Sequence, residues 1–204
     1  LSNKSTPLTG VELRCLACSR AFKIPRRPCR RTYESTKPPS FCQDGGMDLL
    51  VVVPHPDDES FGAGGALLLA KEAGLKTGVL TLTRGEAGRT LGLCPPEELP
   101  RVRVEELKRA AAVLQVDYLE VLDYPNALPE GAQGERGPAT GRGLADHPEA
   151  VEAIRTRLLH LRPRFVLTFP PDGINGHPDH VAASRYAREA AQGLAQVVYL
   201  VRPD

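Results

Sequence analysis

The sequence has no apolar run near ~18 residues, the length a helix needs to cross a bilayer, so no membrane span is expected. Its first residues lack the apolar core of a signal peptide, which points to the cytoplasm. Net charge is small, +1 in 204 residues, so the chain as a whole is not a polycation built for nucleic acid. Methionine is nearly absent. Met47 is the only one, and residue 1 is a leucine. A catalytic domain is therefore expected to begin at Met47, behind a small appended segment. At the other end, an apolar run over 197–201 is followed by only three residues, and the domain is expected to be cut short there.

What is present is unevenly spread. Residues 1–46 hold nine Lys or Arg against Glu12, Glu34 and Asp44, a local net of +6, and the remainder nets −5. The same 46 residues hold Cys15, Cys18, Cys29 and Cys42, four of the five cysteines. A Cys-x-x-Cys pair followed by two further cysteines is compatible with a structural zinc. The later two are thirteen positions apart rather than forming a second knuckle, and the Pro- and Arg-rich filler at 25–31 has little apolar surface to bury. A poorly ordered, solvated segment is expected, with thiols rather than disulfides, and not a nucleic-acid surface.

From Met47 onward the pattern alternates. Strands are expected at 48–54, 77–83, 117–121, 165–169 and 196–201, and helices at 61–73, 96–114, 148–161 and 179–193. Strands alternating with helices of 10–15 residues predict βαβ units and a parallel sheet with helices on both faces, joined by right-handed crossovers. A Gly/Pro-rich loop at 123–145 is too polar for core and has the length of a functional lid. The glycines at 62, 64 and 65 do not make a dinucleotide fingerprint. They read GAGG rather than GxGxxG, and the turn before them holds carboxylates, which repel phosphate.

The chain is organised around LLVVVPHPDDES at 49–60. An unbroken β-branched run reads as a strand buried on both faces, and it empties directly into His55, Asp57, Asp58 and Glu59. A second cluster, Gly176-His177-Pro178-Asp179-His180, follows the apolar run at 165–169. Both clusters fall at the carboxyl ends of expected strands, where open α/β sheets bind ligands. His55 and Asp58, three apart, can face one point, and His180 completes a set of two imidazoles and one carboxylate. That is the donor set of a catalytic zinc site with room for water. Iron(II) takes the same donors, so the count alone does not fix the metal. Asp57 is then a free carboxylate beside the ligands, suited to take a proton from water. His177, if protonated, is suited to hold an oxyanion or protonate a leaving amine. Asp179 is expected either to orient His177 or to cap the following helix. Glu59 is expected either to form a salt bridge or to fix a metal ligand. His147 and His160 read as a helix cap and a surface residue, and Cys94 as a loop residue without a role.

PHPDDES-FGAGG, TLTRGEAG and GINGHPDH, in this order and spacing over roughly three quarters of the chain, resemble the motifs of the LmbE/PIG-L family of metal-dependent N-deacetylases. The resemblance implies a Rossmann-like fold. It implies zinc on His55, Asp58 and His180, Asp57 as general base and His177 as electrostatic partner, and an N-acetylated glucosamine-type sugar conjugate as substrate. Arg84 and Arg89 fall where the family's substrate loop lies, so either is expected to meet sugar hydroxyls or a phosphate. Two positions depart from the pattern. Asn175 stands where some members have tyrosine, and Asn126 where many have aspartate. The alternatives are an amidase for a non-sugar amide and a metal-bearing module without turnover. Retention of Asp57 beside the ligands favours an enzyme, and a homo-oligomer is compatible with everything above.

Overall fold

The structure, a computed structural model, describes residues 11–14, 21–24, 46–128, 134–138 and 143–201. It divides into two compact units, Leu1–Gly45 and Gly46–Asp204. In the first, strands β1 (Val11–Arg14) and β2 (Ala21–Ile24) pair antiparallel, Val11 opposite Ile24. The expectation of a zinc module on Cys15, Cys18, Cys29 and Cys42 lies outside the described residues.

The second unit is a five-stranded, wholly parallel sheet in the order β5-β4-β3-β6-β7. Its elements run β3 (Leu49–Val53), α1 (Asp58–Phe61), α2 (Gly64–Glu72), β4 (Thr77–Thr83), α3 (Leu99–Leu114), β5 (Tyr118–Tyr124), α4 (Ala150–Leu161), β6 (Phe165–Thr168), α5 (Pro178–Ala190) and β7 (Gln196–Tyr199). β3 lies at the centre because its side chains are apolar on both faces. Leu50 and Val52 pack with Ile154, Leu158, Ala183 and Tyr186 of α4 and α5. Val51 and Val53 pack the opposite way, with Leu67 and Leu114 of α2 and α3. A strand buried on both sides by helices gives the three-layer Rossmann-like arrangement. No helix among the described residues is long and apolar enough to cross a membrane.

The order places a switch point beside β3. The chain winds outward through β4 and β5, then returns to the other side of β3 for β6 and β7. The crevice above the carboxyl ends of β3 and β6 is where such sheets bind ligands. Two local differences from the sequence reading bear on it. The helix expected at 61–73 starts earlier and is broken: α1 begins at Asp58, and Gly62 and Ala63 separate it from α2. At Gly62 a Cβ would come 2.9 Å from Leu200 Cδ1 and 3.0 Å from the Asp58 carbonyl, so glycine lets the chain bend there without crowding them. β5 runs on to Tyr124, three residues beyond expectation.

Candidate functional site

Pro54 ends β3 and turns the chain into α1, which aims His55 and Asp58 at the end of α5. The His55 N–H donates to Asp58 Oδ2 at 3.0 Å, so the two residues hold each other in one turn. His55 Nδ1 lies 3.5 Å from Asp58 Oδ2, and His180 Nε2 lies 3.6 Å from Asp58 Oδ1. Donor atoms of His55, Asp58 and His180 all fall within 4.8 Å of one another, and all three residues are buried. The remaining nitrogen of each imidazole is occupied. His180 Nδ1 donates to the Gly173 carbonyl at 3.2 Å and its ring stacks on Phe169 at 4.0 Å. His55 Nε2 donates to Asp179 Oδ2 at 3.0 Å. Outer hydrogen bonds of this kind fix which nitrogen faces a metal. Two neutral imidazole nitrogens and one carboxylate, each anchored from behind, fit a divalent cation.

Asp179 is buried and reaches three segments. Oδ2 accepts from His55, from Asn126 Nδ2 at 2.9 Å and from the Ala127 N–H at 2.7 Å, and Oδ1 accepts from the Leu144 N–H at 2.8 Å. Among the described residues no hydrogen bond joins this carboxylate to His177, although a ring nitrogen of His177 and a carboxylate oxygen of Asp179 lie within 4.8 Å of each other. The Asp179 backbone N–H donates to His177 Nδ1 at 3.2 Å. Asp179 is not the cap of α5. That position belongs to His177, whose ring accepts the bond. Gly143 makes the Leu144 contact possible, because a Cβ there would fall inside contact distance of Ala127 and Asp179 Oδ1.

The metal-free electrostatics follow from these contacts. Burial pulls the His55 imidazole down, but hydrogen bonds and charge from Asp179 and Asp58 outweigh it and raise its pKa to about 9. Burial raises the Asp58 carboxyl, and His55 outweighs that to leave it lowered. His177 is pushed down to about 4, by burial first and then by charged His55. Since its Nδ1 accepts a hydrogen bond, neutral His177 carries its proton on Nε2. In the metal-free protein it is therefore a neutral donor. Its ring lies 4.9 Å from that of His55 and 5.0 Å from that of His180.

Asp57 is half-exposed and pairs with Arg103 rather than with a residue of the ligand set. Its backbone sits at φ 122°, a left-handed conformation that L-residues rarely adopt. Strain of this type costs about 1–3 kcal/mol and persists only where surroundings enforce it. Here buried Glu59 accepts the Asp57 N–H at 2.9 Å. From α3, Arg103 donates to Asp57 Oδ2 at 2.8 Å, to the Gly85 carbonyl at 2.9 Å and to the Pro56 carbonyl. Burial raises the Asp57 carboxyl to about 6, with Arg103 opposing.

His55, Asp57 and His177 open on one cavity of about 580 Å³. Arg89 lines it. Arg84 does not: its Nε pairs with Asp123 Oδ1 at 2.9 Å, beside a separate depression near Pro100 and Pro138. Cys94, a loop residue with no role expected from sequence, is on the cavity wall. Arg103 gives no sign in the sequence of being a site residue, and Asn126 shows itself there only as a departure from the family's aspartate. Buried Asn126 accepts the Ala87 N–H on Oδ1 at 3.0 Å and places Nδ2 3.0 Å from His55 Nε2. His147 pairs with Glu149 at 2.8 Å, away from the cavity.

The profile of the family described as "PIG-L: GlcNAc-PI de-N-acetylase" matches residues 50–191. A relative from Nocardia farcinica, a 1D-myo-inositol 2-acetamido-2-deoxy-alpha-D-glucopyranoside deacetylase, is 33% identical over 161 residues, covering 72% of this chain and 53% of its own. The chain thus spans about half the length of the curated relatives it matches. Among solved structures, a conserved protein from Thermus thermophilus is 35% identical with a TM-score of 0.55, covering 78% of this chain and 68% of its own. The N,N'-diacetylchitobiose deacetylase of Pyrococcus horikoshii shares the fold at 23% identity and a TM-score of 0.58, covering 72% and 50% of the two chains.

Proposed function

Because the chain belongs to the PIG-L family of GlcNAc-PI de-N-acetylases, we propose that residues 47–204 hydrolyse the N-acetyl amide of a glucosamine-type sugar conjugate, with zinc at His55, Asp58 and His180. The observation that carries this reading is that Asp57, held in place by Glu59 and Arg103, opens with His55 of that donor set and with His177 on one cavity. A metal-binding module without turnover has no use for a strained, clamped base.

A divalent cation held by the three residues supplies Lewis acidity to the acyl carbonyl and to water; iron(II) would accept the same donors. The chain's own groups divide the remaining work. Asp57 takes the proton of the attacking water on the carboxylate oxygen that Arg103 leaves open. His177, held by the Asp179 N–H, directs its Nε2–H at the oxygen on which negative charge develops. The proton taken by Asp57 then passes to the departing amine, leaving acetate and a free amino sugar. Asp179 and Asn126 keep His55 in one orientation throughout. Arg89, on the cavity wall, meets the sugar or what is attached to it.

Acetate release from N-acetylglucosaminides by the metal-loaded chain, beside Asp57→Asn with metal content measured on the same samples, tests this. Loss of release by about 10²–10⁴-fold with metal retained is expected for removal of a general base. Folded, metal-loaded wild type that releases no acetate from any sugar conjugate would overturn the reading. Release only from non-sugar amides would move it to a different substrate class.

A further inference from the structure

We propose that Glu59 is a positioning residue for the base: by holding the main chain of Asp57 it keeps that carboxylate at the cavity instead of on the end of α1. That a base is needed there rests on the deacetylase reading above; the hold on the turn does not. Asp57 stands immediately before α1. An aspartate in that position ordinarily takes an extended backbone and turns its carboxylate back onto the first free N–H groups of the helix. Here it does neither. Its φ is 122° and its ψ −30°, and its side chain makes no cap bond. Backbone strain and the forgone cap both weigh against this conformation, so bonds in the turn must outweigh them.

Asp57 is held from three sides. Its carbonyl accepts from the Ser60 and Phe61 N–H groups, each at 2.9 Å, as the start of any helix provides. Its carboxylate takes Arg103 at 2.8 Å, but the Asp57 side chain is 50% exposed, and an ion pair open to water contributes little. The third hold is Glu59, whose Oε2 accepts the Asp57 N–H at 2.9 Å and whose Oε1 accepts the Ser60 hydroxyl at 2.6 Å. Glu59 is 1% exposed and meets no cation among the described residues. A carboxylate removed from water is costly unless it is hydrogen-bonded, and this one uses both oxygens on a single turn.

The arrangement is one half of a capping box. The acidic residue reaches back to the N–H before the helix, while the reciprocal bond from the cap side chain to the helix is withheld. Without Glu59 the freed N–H has no acceptor to hold it. Asp57 then relaxes to the negative φ of an ordinary cap, with its carboxylate on α1 rather than beside Arg103. Asp58 need not follow, because its carboxylate is tied to the His55 N–H at 3.0 Å and its carbonyl to the Gly62 N–H at 2.8 Å. The donor set and the base are thus fixed by different bonds of one turn, and Glu59 serves the base.

The test separates reach from charge in the full zinc-loaded chain. Glu59→Gln keeps the reach, since its amide oxygen can take the Asp57 N–H. Glu59→Asp keeps a carboxylate but is one methylene too short, and Glu59→Leu keeps only the bulk. The Cα and Cβ carbon signals of labelled aspartate differ between positive and negative φ, and Asp57→Asn identifies those of residue 57. The expected result is that these signals move to negative-φ values in Glu59→Leu and Glu59→Asp and stay in Glu59→Gln. On N-acetylglucosaminides, kcat should fall by about 10²-fold in the first two, the usual effect of a misplaced group, and stay close to wild type in Glu59→Gln, with KM and zinc content unchanged throughout. In Asp57→Asn, which has no base to place, adding Glu59→Leu should lower the rate no further. Signals that stay in both the leucine and aspartate variants, a loss as large in Glu59→Gln as in Glu59→Leu, or an undiminished loss in the Asp57→Asn background overturns the proposal. If the wild type releases no acetate, the aspartate signals decide alone: their movement in the leucine and aspartate variants, and not in Glu59→Gln, leaves the hold on Asp57 standing and removes the deacetylase reading.

Discussion

Asp179 Oδ2 lies 3.0 Å from His55 Nε2, although the two residues are 124 positions apart in sequence. One carboxylate from the helix after β6 thus orients the first imidazole after β3, across the switch point of the sheet. Asp179→Asn should weaken zinc binding by about 10–100-fold, the usual effect of removing a ligand's outer partner. Competition against a chromophoric chelator measures it. Asp179→Ala should also lower the stability of the metal-free protein, because the Ala127 and Leu144 N–H groups lose their acceptor and each orphaned donor costs about 1–3 kcal/mol. Unchanged zinc affinity in a folded Asp179→Asn protein would remove the orienting role.

Metal uptake should release a proton. In the metal-free protein the His55 pKa is raised to about 9, so it is charged at neutral pH and must lose its proton to bind a cation. Affinity should therefore rise with pH, towards tenfold per unit from this group, and level off near pH 9. The sign for stability is opposite. The stabilising pairing of protonated His55 with Asp179 and Asp58 is fully present below pH 6.5 and is lost as pH rises through about 9. Titrating zinc in buffers of different ionisation enthalpy counts the protons, and thermal unfolding of chelator-treated protein reads the stability.

Arg103→Gln should act through Asp57. Arg103 is the strongest influence holding that carboxyl down against burial, so its removal should shift the acidic limb of the pH–rate profile upward. Turnover should fall at neutral pH while zinc content stays at the wild-type level. A fall in rate with an unshifted acidic limb would mean that Arg103 serves only to shape the turn at Pro56 and Gly85.

Tyr186 carries a test of the scaffold. It is 1% exposed, and its hydroxyl donates to the Ala145 carbonyl at 2.9 Å. Tyr186→Phe should cost about 1 kcal/mol, whereas Tyr186→Ala, leaving an aromatic-sized cavity between α5 and the sheet, should cost about 3–5 kcal/mol. Denaturant unfolding of the metal-free variants measures both.

The sheet is legible in the sequence because its strands are short apolar runs with punctuation at both ends. β4 matches residue for residue, since Thr77–Thr83 is apolar or β-branched apart from Gly78 and fully buried. β5 extends beyond its expected end at 121 because Asp123 interrupts the apolar pattern; it pairs with Arg84 at 2.9 Å, a partner that local pattern does not reveal. Around the site, paired His-Pro-Asp clusters at strand ends are strong signals. Arg103 carries none. Arg103 is an ordinary cation in an amphipathic helix until folding sets it against a residue 46 positions away. Asn126 stands out only as a departure from a familiar aspartate. Its neutrality makes sense once Asp179 is seen 2.9 Å away, because a second buried carboxylate there would repel the first.

Asp179 also accepts from Ala127 with one oxygen and from Leu144 with the other. The chain between those residues therefore departs from, and comes back to, a single anchored group. Insertions or deletions within that stretch need not disturb the geometry around His55, because both of its roots are tied independently of what lies between them. Loop length enters stability only logarithmically. The stretch contains Arg136, which lines the cavity, so this part of the wall can diversify as an exchangeable cassette while the arrangement around His55 beneath it stays fixed.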